Sequence, residues 1–563
     1  METSPKDRFF NLSHFLVFPA WGLLILKAWS VLLQPIKDPD LFWHLAAGKE
    51  MVEKHCFLWT DVFSHPYFGK PWINTEWLFE IGAYLVEKYS GWEGIYWTKI
   101  GLSALVLVVM TGAFRKAGAR GGLLFLLTAL GVFLVQPRLY ERAELWTLLF
   151  LGVELNLLLR MRRGSFRLFP WIMALIVAVW VNLHSGVVYG VALLALFNVG
   201  ARWAREDPSF IKTLDLALVL ACAALFLNPY GWRLLLFYGD VLKQTNAELH
   251  NVVLEWKRPT LSDAPVFWGV FVLSGGIMGE GILRKKVETI IWVPVVFVFS
   301  LWTSQHFRST ALMAFISLPM LADWAKSARW VRRPGPECLL FLLGIFMIFP
   351  FSVKIKPPKS KVSWHLFPVR ACRFIQSAGL EGAMYNTYQW GGYIQWTCGP
   401  SRKTFMDGRY LSYPLAVQES NALTDLLQRD DAHVWEQRLA SYGIDYAVSD
   451  YIESFWKVVE EKSRFPEALY FDRLFPMKNW ALIFWDDTSL VFVRRIPCWA
   501  TLINTHEYRA LKPYRMDRFV SPILETRDFA EALRSELTRH RAEVDFSLLR
   551  SEIEKRLGFA STN

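Results

Sequence analysis

Apolar stretches of 16 to 21 residues recur along this chain from residue 14 to residue 352. A bilayer core of ~30 Å asks for about 20 apolar residues per helix. A soluble core needs no runs of that length. The runs are 14–34, 94–114, 121–136, 144–159, 168–183, 185–200, 212–227, 264–282, 288–303, 309–324 and 337–352. They predict an all-α membrane domain of about eleven transmembrane helices. The first run is too long and too poorly terminated for a cleaved signal, so it reads as a retained anchor.

Net charge is +11, which alone would admit a nucleic-acid partner. The excess, however, sits in short clusters between apolar runs. They are Arg115, Lys116 and Arg120; then Arg160, Arg162, Arg163 and Arg167; then Arg202, Arg205 and Lys212; then Arg284, Lys285 and Lys286; and finally Lys326, Arg329, Arg332 and Arg333. Every second loop is basic, which is how cytoplasmic loops set orientation. No basic stripe with interleaved aromatics occurs, so nucleic acid is excluded as a partner. The N-terminus is expected inside and residues beyond 353 outside. Six cysteines form no CxxC pair, which removes zinc and thioredoxin-like readings. Cys372 and Cys398 could pair outside.

The expected domains are a transmembrane domain 1–353 with a large first outer loop at 35–93, an extracytoplasmic α/β domain at 354–500, and a helical tail at 501–563. Lys356-Pro357-Pro358-Lys359 marks the first boundary. Gly382–Asn386, Thr404–Asp407, Tyr446–Ser449 and Ser489–Val493 read as strands, with helices at Pro368–Ser377 and Leu415–Gln428. In the first loop, Leu41–Val52 and Trp77–Leu85 have helical apolar spacing but are too short to span. They suit helices lying in the membrane interface. Packing on the C-terminal domain is the other reading.

Acids at outer span ends are the first candidates for chemistry. Asp38-Pro39-Asp40 follows the first span. A carboxylate there could take the proton of an acceptor hydroxyl. Two of them could share a divalent cation. Asp40 also suits a helix N-cap. Cations are the second need: Arg138, Arg142, His184, His306 and Arg308 lie in three outer span ends, against the positive-inside trend. Arginine suits phosphate because its fork binds two oxygens. Anchoring of each helix end by snorkelling is the simpler role. Glu76-Trp77 and Glu255-Trp256 could hold a sugar, the ring stacking and the acid accepting hydrogen bonds. Trp390-Gly391-Gly392-Tyr393 and Asp407-Gly408-Arg409 form a third constellation, since paired glycines let a backbone approach a ligand.

The stretches Asp38-Pro39-Asp40-Leu41-Phe42-Trp43-His44-Leu45, Asp61-Val62-Phe63-Ser64 and Thr75-Glu76-Trp77-Leu78 resemble the first outer loop of bacterial GT-C-type membrane glycosyltransferases. The nearest branch carries an extracytoplasmic C-terminal domain. The resemblance implies a GT-C-like fold and a catalytic-base acid, Asp40 or Asp38, in the first loop, where Glu76 is a further catalytic candidate. The candidates for holding the donor phosphate are Arg138, Arg142, His184, His306 and Arg308. The candidates for sugar or acceptor contacts are His44, Glu255, Trp256, Trp390, Tyr393, Asp407 and Arg409. The donor would be a polyprenyl-phosphate-linked sugar and the acceptor a glycan or protein outside the bacterial inner membrane. Trp390-Gly391-Gly392-Tyr393 is also similar to the Trp-Trp-Asp-Tyr-Gly segment of oligosaccharyltransferases, but lacks the acid between the aromatics. Oligosaccharyltransferase or O-antigen-ligase activity, a transporter and a non-catalytic scaffold are the competing readings.

Overall fold

The computed structural model describes residues 5–164, 166–244, 254–327, 333–348, 356–429, 432–450, 467–514 and 527–557. The chain divides into two compact units. One comprises Met1–Asp38 with Ile73–Val362, the other Pro39–Trp72 with Ser363–Asn563.

The first unit is helical. The eleven apolar runs fall largely on helix, from Pro5–Leu32 through Trp77–Ala117, Gly121–Val135 and Glu144–Met161 to Leu312–Ser327 and Pro334–Ile348; the end of the last run, 349–352, lies outside the described residues. Among the described residues, three segments are long and apolar enough to cross a membrane: Trp77–Ala117, Gly121–Arg138 and Pro265–Leu283. Others are shorter. Phe169–Trp180 has 12 residues, about 18 Å at 1.5 Å per residue. Exposed Leu23, Leu105, Val219, Val272, Phe297 and Phe346 give the unit an apolar exterior, which water would penalise and lipid accepts. The unit is therefore a membrane unit.

Its interior is packed by shape. Ala20 and Leu24 of Pro5–Leu32 meet Phe125, Ala129 and Val132 of Gly121–Val135 and Phe341 of Pro334–Ile348. Asn156 donates to the Val109 carbonyl at 2.7 Å, joining two spans by a polar contact. The expected interfacial segment Trp77–Leu85 is continuous with the following span. Trp77–Ala117 runs 41 residues and breaks only at Gly91, whose φ of 59° is left-handed.

The second unit holds a four-stranded sheet. β1 (Ala383–Asn386) and β2 (Ile444–Asp450) are parallel, with helices Gly391–Cys398, Tyr413–Arg429 and Ala432–Ser441 between them. β3 (Trp480–Trp485) and β4 (Ser489–Arg494) form an antiparallel hairpin, and β4 pairs β2. Thr404–Asp407, expected as a strand, makes one bridge only, Thr404 to Ser64. β3 was not expected. All six of its residues are buried, so it shows no alternation of apolar and polar positions to betray it.

The expected helices at 368–377 and 415–428 are Val369–Ser377 and Tyr413–Arg429. The tail helices Arg527–Glu543 and Leu548–Arg556 also lie in this unit, where His540 stacks on Trp485 at 3.7 Å. Cys372 and Cys398 are free buried thiols in hydrogen-bond contact.

Helix Asp40–Glu53 is no interfacial helix. Ten of its 14 residues are buried, and it packs against Gly391–Cys398. Asp40 is its first residue, with Pro39 at the cap position. It therefore favours the helix through charge near the positive end rather than as an N-cap. The glycine pair explains the close packing. A Cβ at Gly392 would stand 2.9 Å from the Trp43 amide nitrogen, and one at Gly391 would strike the Met406 carbonyl. The backbone that these glycines admit is the protein's own.

Candidate functional site

Within the first unit, residues from six separate segments converge on one charged cluster. Asp38 ends the first of them. Glu141 Oε1 accepts the backbone N–H groups of Lys37 (2.8 Å) and Asp38 (2.9 Å). Burial raises the Glu141 carboxyl, although Lys99 opposes this. The Asp38 carboxylate then accepts from Arg142 Nε. Arg138 donates to Glu144 through Nε (3.0 Å) and also through Nη2. Its Nη1 lies 3.0 Å from Glu255 Oε1.

Glu255 joins the two arginines. Arg142 Nη1 stands 3.1 Å from each of its oxygens. Burial alone would raise the Glu255 carboxyl, but Arg142, Arg138 and Arg308 bring it down to about 2. Arg308 closes the ring, with Nη2 at 3.6 Å from Glu144 Oε2. Its guanidinium sits 5.3 Å over the Trp256 ring, and His306 meets that ring edge-on at 5.4 Å. The Trp256 Nε1 is shielded from solvent with no acceptor among the described residues. A bond from the Phe307 N–H to the Lys257 carbonyl, 2.7 Å, ties these two loops together.

His184 supplies the last group. Its Nδ1 accepts the Gly186 N–H at 3.0 Å. Thr147 Oγ1 lies 2.7 Å from the same nitrogen and accepts from Trp180 Nε1 at 3.0 Å. An accepting Nδ1 assigns the proton to Nε2, which lies 3.5 Å from Glu76 Oε1. Burial brings the imidazole down to about 4, so the ring is neutral at pH 7.

The structure thus brings together Asp38, Glu76, Arg138, Arg142, His184, Glu255, Trp256, His306 and Arg308. Sequence reasoning missed Glu141, Glu144 and Thr147. The signal for the two acids was their alternation with the arginines of the same loop, Arg138, Glu141, Arg142, Glu144; Thr147 gave none.

The remaining candidates lie in the second unit. Asp40 packs against Gly408, and His44 is buried, its ring tilted against that of Trp43 at 3.5 Å. Trp390 donates to the Leu366 carbonyl at 3.1 Å, and Tyr393 stacks on Phe367 at 5.4 Å. Asp407 and Arg409 form a buried network. Arg409 donates to Asp407 through Nε (2.9 Å) and Nη2 (2.6 Å), and to Asp61 through Nη1 (2.7 Å). Gln395 donates to Asp407 Oδ2 at 2.6 Å. The Arg409 guanidinium lies 5.2 Å from the Phe63 ring centre and 4.7 Å from that of Trp72. Trp390, Tyr393, Asp407 and Arg409 are each at most 5% exposed.

As for a metal, no group of three or more His, Cys, Asp or Glu residues able to hold one occurs among the described residues.

No family model matches the chain, and no curated protein sequence matches it. Among solved structures it is similar to the apo oligosaccharyltransferase of Archaeoglobus fulgidus, at 11% identity and TM-score 0.49, over 79% of this chain and 70% of that one. It is similar to the archaeal oligosaccharyltransferase AglB from Archaeoglobus fulgidus in complex with an inhibitory peptide and a dolichol-phosphate, at 11% identity and TM-score 0.49, over 78% and 70%. The same organism's enzyme tethered to an acceptor peptide containing the NVT sequon gives 12% identity and TM-score 0.49, over 84% and 74%. Identities of 11–12% with TM-scores of 0.49 fix neither fold nor activity.

Proposed function

We propose that this chain is a GT-C-like membrane glycosyltransferase. It moves a sugar from a polyprenyl-phosphate carrier to an acceptor on the outer face of a bacterial inner membrane. The observation that carries the reading is the cluster itself. Three arginines from two loops, Arg138 and Arg142 from one and Arg308 from another, gather with Asp38, Glu144 and Glu255 at the end of the first span, in a unit whose exterior is apolar. Such a cluster is costly to build beside lipid unless it binds charge.

In the proposed reaction the acceptor hydroxyl attacks the anomeric carbon. The bond to the phosphate oxygen breaks, and the configuration inverts. Asp38 takes the hydroxyl proton. Arg138, Arg142 and Arg308 neutralise the charge that develops on the leaving phosphate. Neutral His184 offers its Nε2–H, aimed by Glu76, and Glu141 holds the Asp38 backbone. Asp407 and Arg409 position the first-loop segment around Asp61 rather than touch substrate.

The test uses purified protein, radiolabelled polyprenyl-phosphate sugars and candidate acceptors. Product size separates transfer of one sugar from transfer of a whole glycan. No transfer to any acceptor would sink the reading. A transporter is the second reading, favoured by one observation. Glu154, within Glu144–Met161, is fully buried and has no hydrogen-bond partner among the described residues. Intramembrane acids of this kind mark transport paths.

Two further outcomes are expected. A reporter fused after residue 360 should be active only in its exported form, because five basic loops alternate in phase. Activity in the cytoplasmic form would invert the topology. Arg138→Lys should weaken donor binding and slow transfer together. A lysine cannot serve Glu144 and an incoming phosphate with one planar fork. Hydrogen bonds to charged groups are worth about 1.5–3 kcal/mol, so a loss of roughly tenfold to a hundredfold is expected. If the arginine merely anchors a helix end, lysine should serve as well.

A further inference from the structure

Every arginine of the cluster already faces a carboxylate, so an anionic ligand reaches the guanidinium groups by displacing one. The three acids differ in how firmly they are held. The Asp38 side chain is 2% exposed, and Glu141 ties down its backbone. Glu144 is 12% exposed, starts a long helix and bridges Arg138 to Arg308. Glu255 is 31% exposed and sits on the single turn Leu254–Trp256. Its two oxygens are shared between Arg138 and Arg142 at 3.0–3.1 Å. Two oxygens bridging two guanidinium groups is also the arrangement a phosphate would make.

We infer that Glu255 is a resident counter-anion that occupies the phosphate position of the cluster and is displaced by the phosphate of the lipid carrier. This rests on the transferase reading and revises the role of Glu255 from sugar contact to anion surrogate. Close guanidinium groups repel one another when no ligand is bound, and a carboxylate between Arg138 and Arg142 relieves that repulsion. Trp256 and Arg308 move with the same short turn or stack upon it, so displacement of Glu255 would also free the face of Trp256. After transfer the carrier leaves as a phosphate monoester, which carries more charge than the diester it came from. The return of Glu255 to the arginines then competes with that product and helps to expel it.

The experiment measures binding of polyprenyl monophosphate, without sugar, to the full-length protein in nanodiscs. Glu255→Gln should bind it roughly tenfold or more tightly than the parent, the scale expected when a close charge pair is removed from competition. In the transfer assay the same variant should lose turnover through retained product, with KM lowered rather than raised. Glu255→Asp reaches the guanidinium groups less well and should gain affinity to a smaller degree. It carries the test if the glutamine variant does not accumulate. A merely structural role would yield no gain in affinity. Equal or weaker binding by both variants overturns the inference. A gain seen with inorganic phosphate alone overturns the lipid-carrier assignment. If the parent and both variants all fail to bind polyprenyl monophosphate, the transferase reading falls as well.

Discussion

Asp38→Asn should lower the rate of transfer by about 10²–10⁴, the range typical for loss of a general acid or base, while the protein accumulates normally. Asn keeps the size of the side chain and can still face Arg142, so packing is preserved. It cannot take a proton. The two aspartates of the first loop are one residue apart, and sequence reasoning slightly favours Asp40, which borders the helix. The structure gives them different surroundings. Asp38 accepts from Arg142, and its backbone is fixed by Glu141. Asp40 begins a buried helix of the second unit and packs on Gly408. The comparison that decides between them is turnover of the two asparagine variants, measured beside thermal stability. Wild-type turnover in Asp38→Asn would remove this residue from the chemistry. A variant that fails to accumulate would instead assign Asp38 a structural role in the arginine cluster.

Arg409→Met should destabilise the second unit by about 3–5 kcal/mol, the usual cost of leaving buried charges without their partner. Arg409 makes three side-chain bonds to Asp407 and Asp61, and both acids are fully buried. Methionine fills much of the volume and satisfies neither acid. Thermal unfolding of the full chain, followed by proteolysis within residues 363–450, would read the loss. A change below about 1 kcal/mol, the size of an ordinary surface pair, would show that the network contributes little.

The same network predicts a response to acid. Burial alone would raise the Asp61 carboxyl, but Arg409, Ser64 and the Phe63 amide hold it below its ordinary 3.8. Its folded value is depressed, so its contribution is present above that ordinary value and is lost as pH falls through the lowered one. Arg409→Met should remove this part of the acid sensitivity.

What the sequence by itself determined was the local pattern. The apolar runs fell on helices because a span is written in consecutive residues. The helices Val369–Ser377 and Tyr413–Arg429 were legible from their own spacing. The cations of the cluster were legible one by one, because basic residues at those loop ends stood against the charge trend of the chain. Tertiary structure decided what each group faces. Arg142 meets Asp38 across 104 positions and Glu255 across 113. No spacing rule connects groups so far apart. Trp390, Tyr393, Asp407 and Arg409 read as a ligand site from their types, yet they are core. Their partners Leu366, Phe367, Asp61 and Trp72 come from other segments. β3 escaped notice because burial on both faces erases the alternation that marks a strand. Periodicity reports which face of an element avoids water. Which polar group meets which is set by closure of the chain in space, and that pairing decides whether an arginine can be offered to a phosphate or is held within the core.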